Sequence, residues 1–377
     1  MTMSSSDEAA ELLGQLVSLS SPSGEESAVQ AFIADWFTRR GLTPVIEPAA
    51  DGLVNVVVEI EGAGPGPALF LGGHSDTVAP APGWSSDPLT PQIVDGRMYG
   101  LGAMDMKGGL ACAMLATADL AACRADWSGK LVFASLADEE AHSRGANAFV
   151  RTGRRIDAAI MCEPHFDDVV IGAMGKFNIA VSVTGRSAHG SHPAKGINAV
   201  TAASRLIVAL DGLERQAHER FGPANHCVLN VAGGLERYEI RVPDKASFLV
   251  NWHVMPGESS AGAVTQIETL VAGFESPAGF DIAVREPRYE SFWLGEEHEF
   301  VRAFSEVYAG ELGVQPTLTF GKGVSDANIF NADGGIPTIL FGPSGANMHA
   351  ADEWVELTQL PKVRSVLRSF GLRFLRA

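Results

Sequence analysis

Carboxylates and imidazoles recur along this 377-residue sequence in short segments typical of strand ends and tight turns. The residues concerned are His74, Asp76, Asp105, Glu139, Glu140, Glu163 and His349. Carboxylate oxygen and imidazole nitrogen without thiolate form the ligand set of zinc and its close neighbours, not of an iron–sulfur cluster or a structural zinc site. Because an open α/β sheet builds its active centre from several strand ends, we expect these side chains to meet at one site.

The first of these segments places His74 and Asp76 directly after an apolar strand predicted at residues 68–71. Two residues apart on an extended chain, they share a face. His74 can bind a metal through one ring nitrogen, and Asp76 can hold the N–H of the other and so fix the tautomer. Taken alone, this pattern is more often a solvated loop than a site.

Asp105 lies in a glycine-rich segment, residues 100–109, at the start of a helix predicted over residues 105–123. The glycines on both sides of it predict a tight backbone, and a carboxylate there could bridge two cations. A dinucleotide-binding loop is disfavoured, because Asp105 stands where the third glycine of that motif belongs and would repel a phosphate.

Asp138, Glu139 and Glu140 end a strand predicted to be buried. Crowded carboxylates repel one another, so one of them would have a raised pKa unless a cation lies among them. Glu139 and Glu140 point in different directions, so one can bind a metal while the other moves protons. A solvated acidic loop explains this segment by itself equally well.

Glu163 and His349 complete the set of ligand types. Glu163 ends another buried strand, where Pro164 stops the pairing. His349 follows a strand predicted at residues 338–341 and a loop rich in glycine and proline. A lone histidine is usually structural, but five strand-terminal segments that each end in a ligand type are hard to attribute to chance.

The elements that must position these residues form two patterns. Short apolar strands alternate with helices over residues 53–162 and again after Pro287, which predicts an α/β fold with a mostly parallel sheet covered on both faces. Between them the order is β-α-β-β-α-β, the ferredoxin-like split unit. We predict a discontinuous catalytic domain, residues 1–174 and 288–377, and an inserted domain, residues 175–287.

The composition excludes some classes of binding partner and indicates where in the cell the protein is located. The net charge of −17 argues against nucleic acid and against an anionic membrane surface. No apolar run approaches the roughly 20 residues of a membrane span, and the first ten residues lack the features of a secretory signal. The four cysteines show no CxxC spacing, so we expect a reducing, cytoplasmic location.

Taken in order, these segments resemble the dinuclear zinc amidohydrolases of the M20 peptidase family, which includes acetylornithine deacetylase, succinyl-diaminopimelate desuccinylase and carboxypeptidase G. The resemblance covers nearly the whole chain. It implies two divalent ions, zinc first, with cobalt or manganese possible. It implies one ion on His74, Asp105 and Glu163, another on Asp105, Glu140 and His349, with Asp105 as the bridge, Asp76 orienting His74 and Glu139 as general base.

The resemblance also implies a lid and homodimerisation role for the inserted domain. His189 matches a histidine that in many relatives reaches the partner subunit's site and helps to hold the scissile carbonyl oxygen. His253 stands where many relatives carry the arginine of an Asp-x-Arg pair, and these two side chains do not bind a carboxylate equally. Arg241 is a candidate replacement for an asparagine that relatives carry before Pro243. Residues 323–328, which end in Asn328, resemble the peptidase-like branch and favour peptide or N-acyl amino acid substrates.

The leading hypothesis is therefore metal-assisted hydrolysis of an amide bond in a small peptide or N-acyl amino acid. One alternative is a serine hydrolase that uses Ser75 or Ser187, although neither lies in a GxSxG motif. The other alternative is a catalytically inactive binding or regulatory protein that kept the scaffold. The complete ligand set argues against this last hypothesis.

Overall fold

The computed structural model describes residues 5–376 except residues 216, 219, 236, 238 and 275. The helices are α1 (Ser5–Val17), α2 (Ser27–Thr38), α3 (Gly108–Ala122), α4 (Arg144–Arg151), α5 (Ala199–Asp211), α6 (Ser260–Ala272), α7 (Glu299–Leu312), α8 (Asp326–Asn328) and α9 (Leu360–Phe374). The strands are β1 (Val45–Pro48), β2 (Val54–Glu61), β3 (Ala68–His74), β4 (Gln92–Val94), β5 (Arg97–Tyr99), β6 (Lys130–Leu136), β7 (Ala158–Met161), β8 (Asp168–Ala173), β9 (Gly175–Thr184), β10 (Ala217–His218), β11 (Gly222–Pro223), β12 (His226–Gly233), β13 (Lys245–Val254), β14 (Gly279–Tyr289), β15 (Phe292–Trp293), β16 (Thr317–Gly321), β17 (Thr338–Leu340), β18 (Gly345–Ala346) and β19 (Trp354–Glu356).

The chain divides into two compact units, and the first contains the chain up to Gly172, Trp293–Gly321 and the chain from Ser325 onward. Its large sheet has the strand order β1-β2-β6-β3-β7-β17-β8-β15, and β16 also pairs with β8. The pairs β6–β3, β3–β7 and β7–β17 are parallel, whereas β1–β2, β2–β6 and β17–β8 are antiparallel. The predicted α/β fold is confirmed, with antiparallel strands added on both sides of the parallel centre.

Strand β3 shows why the centre of this sheet is hydrophobic on both faces. Leu69 and Leu71 belong to the core that includes residues of α1, α3 and α9. Phe70 points the other way, and its ring contacts the rings of Phe149 and Phe330 at centroid distances of 5.3 and 4.9 Å. Because successive side chains of a strand alternate in direction, an apolar run is required wherever helices cover both faces.

The second unit comprises Ala173–Phe292 and Lys322–Val324. Its sheet has the order β12-β13-β9-β14 with antiparallel pairing throughout, and α5 and α6 follow β9 and β13 in the chain. Along β9 the burial alternates, and Phe177, Ile179 and Val181 pack in one core with Leu206 of α5 and Ile267 of α6. This is the predicted ferredoxin-like unit with helices on one face. The assignment of the two units as catalytic and lid domains stays a prediction.

A small antiparallel sheet, β18-β19-β5-β4, and the start of α3 were not predicted correctly from the sequence. Helix α3 begins at Gly108, not at Asp105, and Asp105 has extended backbone angles of φ −115° and ψ 100°. Within the described ranges, no helix combines the length and the apolar character that a membrane crossing requires.

Candidate metal centre

The candidate ligands follow the carboxyl ends of neighbouring parallel strands. His74 is the last residue of β3, the acidic residues 138–140 follow β6, and Glu163 follows β7. His349 lies farther along the chain after β17, between β18 and β19. Because β6, β3, β7 and β17 are adjacent and parallel, their carboxyl ends meet at one edge of the sheet, where an open α/β fold places its site.

His74 is almost completely buried and faces several carboxylates. Its Nε2 lies 3.3 Å from Asp105 Oδ1. The same nitrogen lies 3.9 Å from Glu139 Oε2 and 3.9 Å from Glu163 Oε1. One ligand atom each from His74, Asp105 and Glu163 lies within 4.8 Å of the other two. These three residues can therefore hold one ion.

His349 builds a second group on the other oxygen of Asp105. Its Nε2 lies 3.1 Å from Asp105 Oδ2 and 3.0 Å from Glu140 Oε1. Ligand atoms around a four-coordinate zinc are about 3.3 Å apart, so both groups have suitable spacing. Because Asp105 contributes one oxygen to each group, the donor set fits a pair of divalent ions. Glu140 also belongs to a third group with His74 and Glu139, in which one ligand atom of each lies within 4.8 Å of the other two.

Two glycines allow Asp105 to reach this position. Gly102 has φ +75°, a left-handed conformation that costs a residue with a Cβ about 1–2 kcal/mol. A Cβ on Gly109 would lie 1.7 Å from the carbonyl oxygen of Cys162, so α3 can approach β7 this closely only with glycine there. The glycines that the sequence associates with a tight backbone are thus required on both sides of Asp105.

The electrostatics of the site favour bound cations. Burial raises the pKa of Glu163 and of Glu139 well above the usual range, against the opposing effect of His74. Burial would lower the pKa of His74, but the hydrogen bonds that its ring donates to Asp105 and Asp76 raise it well above its usual value. In the absence of metal, the site therefore retains protons that divalent cations would displace.

Metal binding is expected to release protons. The hydrogen bond with Asp105 and the charge of Glu140 raise the pKa of His349 to about 9, so its ring is protonated at neutral pH without metal. A metal must displace that proton, and metal affinity should rise by up to about tenfold per pH unit until the pH passes the raised pKa. Calorimetric titration in buffers of different ionisation enthalpy would count the protons. A pH-independent affinity without proton release would contradict a ligand role for His349.

Asp76 contacts both His74 and the backbone of Glu139 and Glu140. Ser23, which was not predicted as a site residue, also contacts Asp76. His74 Nδ1 lies 3.0 Å from the Asp76 carbonyl oxygen and 3.4 Å from its carboxylate. That carboxylate also accepts the backbone N–H groups of Glu139 and Glu140 at 3.0 and 3.1 Å. Ser23 donates its hydroxyl to the same carboxylate at 2.7 Å. No periodicity marks Ser23, because it lies in a turn 53 positions away.

Asp326 is a further acid that the sequence reasoning did not assign to the site. It is fully buried, and burial raises its pKa to about 7, while a hydrogen bond with Ser143 lowers it. Its charge in turn raises the pKa of Glu139 and of Glu163. Asp326 therefore adds to the negative potential of the candidate centre.

Within the described residues, neither of these two ligand groups includes the other predicted site residues. His189 and Arg241 pair with each other in the second unit through an antiparallel bridge, and both are exposed. His253 is half-buried on β13, and Lys176 and Arg215 assist burial in lowering its pKa. Asn328 is fully buried, and its side-chain carbonyl accepts the N–H of Ser325 in a capping box. Their substrate contacts stay predictions.

The fold and the candidate centre together are typical of metal-dependent hydrolases. The profile of Peptidase family M20/M25/M40 matches residues 70–373, and the chain belongs to this family. The predicted assignment as an M20-type hydrolase acting on amide or peptide bonds is confirmed by this match and by the curated relatives.

The curated relatives include succinyl-diaminopimelate desuccinylases. That of Methylorubrum extorquens is 30% identical over 93% of this chain and 94% of its own length. That of Xanthomonas oryzae pv. oryzae is 29% identical over 97% and 98%. Among solved structures, aminopeptidase PepT from Bacillus cereus has a TM-score of 0.79 at 21% identity, covering 98% of both chains. The Bacillus subtilis YXEP protein, described as a dinuclear metal binding peptidase from the M20 family, has a TM-score of 0.73 at 17% identity with the same coverage.

Proposed function

We propose that this protein hydrolyses the amide bond of a small N-acyl amino acid or peptide with the help of two divalent ions, zinc first and cobalt or manganese otherwise. The observation that carries the proposal is the shared carboxylate of Asp105, which lies 3.3 Å from His74 and 3.1 Å from His349 through its two oxygens. One ion would be held by His74, Asp105 and Glu163, the other by Asp105, Glu140 and His349.

The side chains supply the proton chemistry. When bound, the ions lower the pKa of a water toward about 7 and polarise the substrate carbonyl. Glu139 takes the proton of the attacking water and then gives it to the leaving amine. Its raised pKa and its position within 3.9 Å of His74 Nε2 support this role. Asp76 keeps the His74 ring in one orientation and fixes the backbone of Glu139.

The names of the relatives support the proposed substrate class. Desuccinylases among the curated relatives remove an acyl group from an amino acid, and peptidases share the fold. We assign Arg241, His253 and Asn328 to substrate binding, and His189 to the scissile carbonyl oxygen in a second copy of the chain. Because both assignments rest on the family resemblance, substitution of each of these residues would test them.

A homodimer formed through the second unit belongs to the same proposal. Strand β12 is an edge of its sheet, and Leu229 and Val231 on it are 55% and 62% exposed. An edge strand with exposed apolar side chains is a site for pairing with another chain. Sedimentation of the purified protein would test the dimer. The four free cysteines support a reducing compartment, which we propose to be the cytoplasm.

Elemental analysis followed by a substrate screen tests the function. Purified protein is loaded with zinc, cobalt or manganese and offered N-succinyl, N-acetyl and N-formyl amino acids and dipeptides. We expect metal-dependent release of a free amine that a chelator abolishes and that added metal restores. Activity that resists the chelator but is lost with a serine reagent would favour a serine hydrolase. Protein that binds metal but hydrolyses none of these compounds would favour the inactive binding protein.

A further inference from the structure

Glu353 is a buried acid that the proposed chemistry does not use. It is 2% exposed and lies four residues after His349. Its Oε1 accepts the backbone N–H groups of Met104 and Asp105 at 2.9 and 3.0 Å. Its Oε2 accepts that of Gly102 at 3.0 Å, and its own carbonyl oxygen accepts the N–H of Gly100 at 3.0 Å.

These contacts determine the backbone that carries Asp105. Residues 100–105 lie between β5 and α3, where no strand partner satisfies successive N–H groups. A buried N–H without an acceptor costs about 1–3 kcal/mol, so the carboxylate stabilises this backbone path over others. Because the nitrogen of Asp105 is itself one of the donors, the direction of the Asp105 side chain depends on Glu353.

The same residue anchors the segment that carries His349. Asn347 closes the turn that precedes Glu353 by donating its side-chain amide to the carbonyl oxygen of Asp352 at 3.0 Å. Directly after Glu353, β19 pairs with β5 in the register Trp354↔Tyr99. Glu353 therefore connects the segment that carries Asp105 to the segment that carries His349, although Asp105 and Glu353 are 248 positions apart in the sequence.

We propose that Glu353 is a positioning residue that sets the separation of Asp105 and His349 and thereby the affinity of the site formed by Asp105, Glu140 and His349. This inference rests on the proposed function. Residues that orient metal ligands typically contribute about 10–100-fold to metal affinity. The site formed by His74, Asp105 and Glu163 shares only Asp105 with it and should be affected less.

Graded substitutions test the role. Glu353→Gln keeps the shape of the side chain and the acceptor for the N–H groups of Met104 and Asp105, but it places an amide N–H against the N–H of Gly102. Glu353→Ala removes all three side-chain hydrogen bonds. We expect one of the two zinc affinities to fall about tenfold in E353Q and about 100-fold in E353A, and the other to fall less. Competition with a chromogenic chelator measures both affinities, and circular dichroism of the metal-free proteins checks the fold.

The neighbouring residue provides a matched control. Asp352 is a half-buried acid that also accepts two hydrogen bonds from a distant segment, from the backbone and hydroxyl of Ser85 at 2.8 and 2.7 Å. Asp352→Asn should leave both affinities within about twofold of wild type, because no ligand depends on Ser85. Its φ of 57° suits asparagine as well as aspartate.

Each outcome decides one question. If the wild-type protein binds no divalent ion, the proposed function fails. If the wild-type protein binds two ions and both Glu353 variants bind them equally well, the positioning role alone is wrong. If E353A does not fold, E353Q decides, since it preserves the side-chain volume. Equal losses in E353Q and D352N would also overturn the inference, because they would reflect general loosening of the 347–353 segment.

Discussion

Glutamine in place of Glu139 is expected to lower kcat by about 1,000-fold while the bound metal stays at the wild-type level. The substitution keeps the size of the side chain but removes the group that accepts and returns a proton. Glu139 Oε2 and Glu163 Oε1 both lie 3.9 Å from His74 Nε2, so the metal content of the variant decides which of the two is a ligand. Kinetics with the best substrate of the screen, together with elemental analysis of the same sample, measure both quantities.

The adjacent residue is the control for this prediction. Glu140→Gln changes the same chemical group one position later, but at the carboxylate that lies 3.0 Å from His349 Nε2. We expect E140Q to lose bound metal together with activity, and added metal should restore part of that activity. The opposite pattern, metal loss in E139Q and retention in E140Q, would show that the two roles are exchanged.

Removal of Asp105, the proposed bridging carboxylate, should have the widest effect on the centre. Asp105→Ala deletes one donor from each ligand group at once, so each ion would keep only two protein ligands. Bound metal is expected to fall below one ion per chain, and activity to the background of the uncatalysed reaction. His74 and His349 should also lose their raised pKa values, because hydrogen bonds with Asp105 help to raise both.

A surface aspartate separates this effect from a general loss of charge. Asp35 on α2 is exposed and pairs with Arg39 at 3.1 Å, an interaction worth about 0–1 kcal/mol. Asp35→Ala should keep full metal content and activity. Two ions bound to D105A, measured by elemental analysis after dialysis, would rule out Asp105 as the bridge.

The sequence predicts the parts of the fold and centre that follow from local patterns. Apolar strands ending at His74 and Glu163 are recognisable because burial on both faces requires continuous hydrophobic runs. The ferredoxin-like unit follows from alternation along β9 and helical spacing in α5 and α6. In these segments the local pattern of apolar residues is enough to predict burial and secondary structure, so no knowledge of distant contacts is needed.

Contacts between distant segments could not be predicted. Ser23 and Glu353 act through partners 53 and 248 positions away, and neither contact leaves a periodic trace in the sequence. The extended backbone at Asp105 was missed because Met104, Met106 and Lys107 are good helix formers that lead directly into α3. The antiparallel β1–β2 pair was missed because β1 is a short edge strand with three of its four residues exposed, so it has no buried apolar pattern.

The place of β17 in the sheet imposes an order on biosynthesis. It lies between β7 and β8, yet the ribosome delivers it after the whole of the second unit. The position between β7 and β8 in the central sheet therefore cannot be filled until residues 338–340 have left the ribosome. By then His74, Asp105 and Glu163 have all emerged, whereas His349 is still to come. On the proposed assignment, all ligands of one ion would therefore be available during translation, whereas the other ion would require a nearly finished chain.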